Sequence, residues 1–168
     1  LIRKTALSDT SLIIHWCCGD AGIIKTVAKG ARRPKSPFVG KLDLFFECEI
    51  EIHHAKRGDL HILKDLVVEK NRLGIRKTYG QTLGASYFVK LVELVSEPEN
   101  ELPVVADLLD RALDYLTENQ PDRRAVLFFE KKLAEELGIG EEHKEGIGAI
   151  ESTFGKIPVQ RRELTGRW

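Results

Sequence analysis

Apolar and polar residues alternate with a period of two in several stretches of the first 70 residues, which is the pattern of β-strands. Turn-forming clusters such as Ser8-Asp9-Thr10-Ser11 and Gly19-Asp20-Ala21-Gly22 separate the alternating stretches. The pattern predicts five strands, at residues 1–6, 12–17, 22–29, 43–53 and 60–69.

The fourth of these strands has the clearest pattern in the chain. Apolar residues occupy the even positions from 44 to 52, and Asp43, Phe45, Glu47, Glu49, Glu51 and His53 occupy the odd ones. In the second strand, Trp16 shares a face with Leu12 and Ile14, so we expect it in the core. Five strands with short, turn-rich links in about 70 residues are typical of a small closed barrel of the OB type.

From about residue 76 the apolar period changes from two to about 3.6, which indicates helices. One helix is predicted from about residue 76 until Pro98, a second over residues 102–116 and a third over 121–138, and the remaining residues are expected to be loosely helical. Five aromatic residues of the helical half are expected in the core: Tyr79, Tyr87, Phe88, Phe128 and Phe129. The predicted fold class is therefore α+β, with a five-stranded OB-type barrel at residues 1–72 and an α-helical domain at 73–168.

Charge divides the chain in the same way. The formal net charge is zero, but residues 1–76 carry 14 Lys and Arg against 9 Asp and Glu, and residues 77–168 carry 12 against 17. Such asymmetry suggests two domains with different partners. The composition is that of a globular protein, no apolar run is long enough to span a membrane, and no signal-peptide pattern opens the chain. Three cysteines, two of them adjacent, indicate a reducing compartment and hence the cytoplasm.

The strongest candidate site is the stretch 22–36, which begins as an apolar strand and ends as a turn after Gly30. Five cations and no acid lie in these fifteen residues, and two more cations follow in the turn before the fifth strand. A nucleic-acid backbone is the natural ligand for such a surface, although a solvated loop has the same composition. The candidate DNA-binding residues are Lys25, Lys29, Arg32, Arg33, Lys35, Lys56 and Arg57.

Motifs for catalysis are missing from the sequence. There is no nucleotide-binding glycine loop, nucleophile elbow or zinc-ligand pair, so no enzyme activity, metal or other cofactor is expected. His53 and His61 are near one hairpin and could share a face, but ordinary surface histidines are the expected reading. The acidic face of the fourth strand is likewise expected to be solvated.

The motif Ala-Lys-Gly-Ala-Arg-Arg-Pro-Lys-Ser at 28–36 resembles the N-terminal barrel of the RecO family of bacterial recombination mediators. The likeness continues through the acidic strand, the Gly-Asp-Leu-His-Ile-Leu stretch at 58–63 and the helical pattern up to Leu137-Gly138. Many members of the family carry a Cys-rich zinc module in the helical half. No cysteine follows Cys48, so we expect that module to be absent.

The resemblance implies a bacterial, nucleoid-associated factor of DNA repair and recombination. Such a factor binds single- and double-stranded DNA, anneals complementary strands and works with RecR. It helps to load the RecA recombinase onto DNA coated by single-strand-binding protein. The residues alone leave two other classes open, an RNA-binding OB protein and an adaptor whose basic surface docks an acidic protein.

The acidic helical half has a different expected partner, because its charge opposes a phosphate backbone. The resemblance suggests the C-terminal tail of single-strand-binding protein, an acidic peptide that ends in an apolar residue. Such a tail needs an apolar pocket and a cation for its carboxylate. The candidate partner-binding residues lie on the third helix: Arg123, Arg124, Leu127 and Lys131. The simpler reading is that these cations only solvate a core-facing helix.

Overall fold

The structure is a computed structural model that describes residues 1–98, 100–140 and 145–167. The chain divides into two units. The first comprises residues 1–72 together with 97–101, and the second comprises the described parts of 73–96 and 102–168. None of the helices in the described residues is long and apolar enough to cross a membrane.

The first unit is a five-stranded sheet of the expected OB type. Its strands are β1 (Arg3–Ala6), β2 (Leu12–Cys18), β3 (Gly22–Ala28), β4 (Glu47–His53) and β5 (Leu60–Lys70). They lie in the order β1-β2-β3-β5-β4. Neighbouring strands are antiparallel except β3 and β5, which are parallel. The eleven-residue β5 therefore borders β3 with its first residues and β4 with the rest.

The strand ladder is open between β1 and β4, but backbone hydrogen bonds connect that gap. The Leu1 nitrogen donates to the Phe46 carbonyl over 2.6 Å, and the Phe45 amide donates to the Leu1 carbonyl over 2.9 Å. Two register shifts in the β4–β5 pair, after Glu47 and after Glu51, bend these strands. The sheet thus curls toward a barrel, although no ladder of paired strands completes the ring.

Trp16 lies in the core of this unit, as its sequence pattern predicts. Its side chain is 3% exposed, and its indole Nε1–H donates to the buried Thr26 hydroxyl over 2.9 Å. Ile14 and Ile24 are buried in the same cluster. A buried indole keeps its full burial energy only when its N–H has a partner, and Thr26 on the neighbouring strand provides one.

The fourth strand starts later than the alternation predicts. The prediction placed its start at residue 43, but β4 begins at Glu47 because Phe45 has a left-handed φ of 72°. That turn buries Phe45, which alternation had placed on the acidic face, to 4% exposure. The buried Arg72 guanidinium donates to the Phe45 carbonyl over 3.1 Å and to the Glu47 carboxylate over 3.1 Å. These bonds hold a backbone conformation that a bulky residue rarely adopts.

The second unit is helical. After a 3₁₀ turn at Leu73–Arg76, its helices are α1 (Tyr79–Val95), α2 (Pro103–Glu118), α3 (Arg123–Glu136), α4 (Gly146–Phe154) and α5 (Gln160–Thr165). Thr78 and Asp122 cap α1 and α3 by accepting backbone amide hydrogen bonds. The two short helices α4 and α5 agree with the expectation of loosely helical residues after 138, and residues 141–144 of that stretch lie outside the described residues.

Three of the five aromatic residues expected in the helical core are buried. Tyr87, Phe88 and Phe129 are at most 2% exposed, and the rings of Phe88 and Phe129 stack with centroids 4.1 Å apart. The prediction was wrong for Tyr79 and Phe128, which are 57% and 58% exposed. Tyr79 donates its hydroxyl to Glu163 instead, over 2.7 Å.

One buried carboxylate joins three helices of this unit. Glu130 of α3 is 1% exposed and accepts hydrogen bonds from the Tyr87 hydroxyl of α1 over 2.6 Å and from Arg161 Nε of α5 over 2.7 Å. A second Arg161 nitrogen contacts the other carboxylate oxygen at 3.1 Å. Burial and the neighbouring carboxylate raise the pKa of Tyr87, so its hydroxyl remains a donor.

We expect Glu130→Ala to lower the free energy of unfolding of the helical unit by roughly 3 kcal/mol, because it leaves Tyr87 and Arg161 without their shared acceptor. This loss is at the low end of the range for breaking a buried ion pair, because the Arg161 side chain is 20% exposed to water. Urea denaturation followed by far-UV circular dichroism measures it. Glu130→Gln, which retains an acceptor oxygen, should lose less.

The matched control is Glu135→Ala on the same helix, where the carboxylate pairs with Lys132 at the surface. The urea concentration at the midpoint of its unfolding should stay close to that of the unchanged protein. Equal midpoints for Glu130→Ala and Glu135→Ala would contradict a structural role for the buried carboxylate.

Gly22, at the start of β3, supports a second prediction. It has a φ of 64°, and a Cβ at this position would overlap the carbonyl oxygen of Asn100. Gly22→Ala should therefore lower the free energy of unfolding by roughly 2–4 kcal/mol, from backbone strain and overlap together. Fluorescence of Trp16 during urea denaturation, in a Trp168→Phe background, reports on this unit.

Gly40→Ala serves as the control, because Gly40 has a φ of 75° and a Cβ added there would have nothing within 4 Å. This variant has the backbone strain of a positive φ without the overlap with a neighbouring atom, so its free energy of unfolding should fall by only about 1–2 kcal/mol. A loss at Gly22 no larger than the loss at Gly40 would show that the Asn100 contact carries no constraint.

Candidate nucleic-acid interface

The chain after β3 forms a tightly turned loop, residues 29–41, called the basic loop below. Gly30 takes a left-handed φ of 66° that only glycine adopts readily. Successive turns follow, in which Arg33 donates its amide to the Gly30 carbonyl and Ser36 donates to the Arg33 carbonyl, each over 3.0 Å. The charged residues therefore sit on a backbone with its own hydrogen bonds.

Phe38 fixes the basic loop to the barrel. It is 6% exposed and belongs to the same core cluster as Trp16 and Ile14. Burying a phenylalanine side chain contributes about 1.5–3 kcal/mol, which adds to the hydrogen bonds of the loop in holding it in one place. Sequence reasoning missed Phe38, because residues 30–42 have no periodicity; a single aromatic between glycines and cations was the only signal.

Hydrogen bonds also tie the basic loop to the turn between β1 and β2. Arg32 donates its amide to the Thr10 carbonyl and its Nη1 to the Ser8 carbonyl, both over 3.0 Å. Gly30 donates its amide to the Ser11 hydroxyl over 3.3 Å. The basic loop is thus held against the β1–β2 turn, one of the two loops that flank the ligand face of OB barrels.

Four of the predicted DNA-binding residues are brought together on this loop. Lys29, Arg32, Arg33 and Lys35 are all exposed. Within the described residues none of the four is ion-paired with a carboxylate, so their charge is available to an external anion. Positive charge held on a fixed loop without internal counterions is what an electrostatic nucleic-acid contact requires.

A row of basic residues crosses the adjoining sheet. Arg3 of β1 is opposite His15 of β2, and His15 is opposite Lys25 of β3. Ile14 and Trp16, on either side of His15 along β2, point into the core, so the row lies on the opposite face. Arg3 was missed by sequence reasoning, since only the pairing register places it beside Lys25.

Lys25 differs from the other candidate cations. Its ammonium nitrogen lies 2.6 Å from the Asp59 carboxylate, and the hydrogen bond from Lys25 is the largest cause that lowers the pKa of Asp59. Asp59 ends the turn between β4 and β5, where Lys56 and Arg57 are exposed. The parallel pairing of Lys25 with Leu60 brings this turn alongside β3.

The histidines near this turn are arranged differently from the sequence expectation. His53 is opposite Ile62, so it faces away from His61, and the two do not share a face. His61 is buried, accepts the Ala55 amide at its Nδ1 over 3.1 Å and contacts the His54 ring, with centroids 4.8 Å apart. The described residues contain no group of three or more side chains placed to hold a metal ion.

The helical unit has a separate candidate site. A groove of about 480 Å³ lies among α1, α2 and α3 and is lined mainly by apolar side chains, with Phe88 and Phe129 among them. Phe128 also lines it, which accounts for its exposure. The two basic residues of the lining are Arg111 and Arg124.

Among the four residues predicted to bind a partner, only Arg124 lines this groove. Arg123 lines a second hollow with Gln120 and Arg167. Lys131 is exposed and lies 3.7 Å from the Glu135 carboxylate, and Leu127 is half-buried. The helix therefore divides these residues among different faces, and Arg111 from α2 joins Arg124.

Both units match models of one family. The model described as "Recombination protein O N terminal" matches residues 1–72, and "Recombination protein O C terminal" matches residues 76–144. Relatives include the DNA repair protein RecO of Rhodopirellula baltica, 25% identical over 82% of this chain and 51% of the relative. RecO of Syntrophus aciditrophicus is 28% identical over 77% and 50%, and RecO of Idiomarina loihiensis 29% identical over 82% and 58%.

The chain thus spans about half the length of the curated relatives that it matches. The matched segments together take in most of the sequence, and they include the barrel, the basic loop and the first three helices. The chain belongs to the RecO family.

Proposed function

We propose that this chain is a DNA repair and recombination mediator whose barrel, residues 1–72, binds single- and double-stranded DNA through its phosphates. In this role it anneals complementary strands, cooperates with RecR and helps to load RecA on DNA coated by single-strand-binding protein. The observation that carries the proposal is the basic loop, four exposed cations on a fixed backbone beside the ligand face of an OB-type sheet. Family membership supports the same role.

The contact is proposed to be with the phosphate backbone and not with base edges. Trp16, which is opposite Ile24 of the basic strand β3, is in the core and so is not available to stack on bases. Lysine and arginine side chains on loops neutralise phosphates whatever the sequence. This lack of base readout suits a protein that anneals strands of any sequence, and no catalytic step is part of the role.

The helical domain, residues 73–168 without a zinc module, is proposed to bind the acidic C-terminal tail of single-strand-binding protein. The groove among α1, α2 and α3 offers aromatic side chains for a terminal apolar residue and Arg124 for a carboxylate. Arg111 is 3.0 Å from Asp107 and would add a second cation at the rim. A bacterial cytoplasm with its nucleoid is the compartment in which these partners meet.

The DNA proposal predicts that Arg32→Glu with Arg33→Glu weakens binding to all sequences alike. Association constants of the unchanged protein should fall with salt by about 0.7 logarithmic units per logarithmic unit of salt for each single-strand phosphate contact. The double variant should have a smaller slope, because two contacts are lost. Fluorescence anisotropy with labelled DNA at several salt concentrations measures both quantities.

Lys64→Glu with Lys90→Glu reverses the same number of charges on exposed residues outside the basic loop and should change the slope little. The same titration with RNA separates the alternatives. Strong preference for RNA would favour an RNA-binding OB protein, and failure to bind either polymer would favour an adaptor. Unchanged DNA affinity in the Arg32 and Arg33 variant would remove the basic loop from the site.

The partner proposal predicts that Arg111→Glu with Arg124→Glu abolishes binding of an acidic tail peptide with an apolar C-terminus. Two carboxylates would then replace the two cations of the groove, beside the Asp122 carboxylate that already lines it, and would repel the peptide. Isothermal titration calorimetry with the synthetic peptide measures the loss, and affinity for bare DNA should remain nearly unchanged.

Arg123→Glu with Lys131→Glu is the matched control, since both residues lie outside the groove on the same helix. It makes the same change in net charge. If this control loses the peptide while the Arg111 and Arg124 variant retains it, the peptide binds another face of α3. Loss of peptide and DNA together would contradict two separate surfaces.

A further inference from the structure

The ion pair between Lys25 and Asp59 sets Lys25 apart from the rest of the proposed interface. Among the seven candidate cations, as far as the chain is described, Lys25 is the one whose charge is already matched by a carboxylate, at 2.6 Å. The pair joins residues 34 positions apart, one in the middle of β3 and one at the end of the β4–β5 turn. It therefore has no role within a single strand or turn.

The pair is accessible to a competing anion. The side chains of Lys25 and Asp59 are 32% and 50% exposed, so water reaches both groups. Ion pairs at this degree of exposure contribute little to stability, because the solvent screens them and the side chains lose freedom in forming them. A DNA phosphate has the same charge as the Asp59 carboxylate and can replace it on the Lys25 ammonium.

The displaced carboxylate, however, stays beside the ligand. Asp59 follows the exposed cations Lys56 and Arg57 in the same turn and precedes Leu60, the residue paired with Lys25. A phosphate bound there would face one carboxylate among three cations. Asp59 thus opposes the field of the very residues that attract DNA to this part of the sheet.

We propose that Asp59 is a built-in competitor for the phosphate at Lys25, and that it limits the affinity of the barrel for nucleic acid. This inference rests on the proposed binding of DNA by the barrel. A DNA phosphate would then bind more weakly, and exchange more readily, at Lys25 than at the basic loop. Such a contact suits a protein that must bind strands and then release them. Lys25 becomes a full contact only when Asp59 is neutralised or removed.

The test compares four proteins: the unchanged chain, Asp59→Asn, Lys25→Gln and the double variant. Each is titrated by fluorescence anisotropy against labelled oligothymidylate of about 20 nucleotides, longer than the roughly 4–16 that one OB barrel covers. At about 50 mM salt, Asp59→Asn should bind roughly three- to tenfold more tightly, with a salt slope steeper by about 0.7. Lys25→Gln alone should change affinity by less than about twofold, and the double variant should lose most of the gain and keep only the weaker effect of the absent carboxylate on Lys56 and Arg57.

The control is Glu51→Gln. It removes the same negative charge from an exposed position of β4, a strand that does not border β3, and it should not tighten binding. The thermal midpoints of all the variants should agree within a few degrees, which excludes an effect through folding. Unchanged or weaker binding by Asp59→Asn overturns the proposal, as does a gain that persists in full without Lys25 or that Glu51→Gln reproduces.

The outcomes also separate this inference from the function on which it rests. Binding by the unchanged protein that Arg32→Glu with Arg33→Glu abolishes, and that does not respond to Asp59→Asn, rejects the competitor and leaves the DNA proposal standing. Failure of both the unchanged protein and Asp59→Asn to bind rejects the two together.

Discussion

The basic loop brings like charges close together, and its stability depends on the burial of Phe38. The loop carries four cations that repel one another: Lys29, Arg32, Arg33 and Lys35. Without other contacts the loop would be mobile, and these charges would have no fixed position. One aromatic side chain in the barrel core, together with the bonds to the β1–β2 turn, holds the backbone against this repulsion. The fixed position of the basic loop therefore depends on the core and on the β1–β2 turn of the first unit.

The two units solve opposite electrostatic problems. In the first unit, the four cations of the basic loop are exposed and, within the described residues, are not ion-paired with a carboxylate, and the cost is repulsion that solvent and salt reduce. In the helical unit, the Glu130 carboxylate is buried and is compensated by Arg161 and Tyr87 from two other helices. The first arrangement favours an external ligand, and the second favours one fixed packing of α1, α3 and α5. The units thus differ in the use of charge as well as in secondary structure.

Sequence periodicity gives the elements of this fold but not their long-range contacts. The five strands and three long helices follow from apolar spacing, and the core position of Trp16 follows from its alternation with His15. The register shift after Glu51 reverses the expected relation of His53 to His61, since a bulge interrupts alternation.

The wrong assignments in the helices have a related cause. A helical apolar stripe shows which residues share a face, and it does not show how far the neighbouring helices cover that face. Phe128 therefore lies in an open groove, and Arg111 reaches the same groove from α2. The sequence did not indicate the Lys25–Asp59 pair either, because the pair depends on the parallel pairing of β3 with β5.

The pairing of β3 with β5 also affects the rate at which the first unit folds. β3 must wait for a strand that begins more than thirty residues later, and the entropy of closing so long a connection makes such contacts slow to form. Lys25 and Asp59 meet only when that step is complete, so the carboxylate restrains Lys25 in the folded barrel and not in the chain before β3 and β5 have paired.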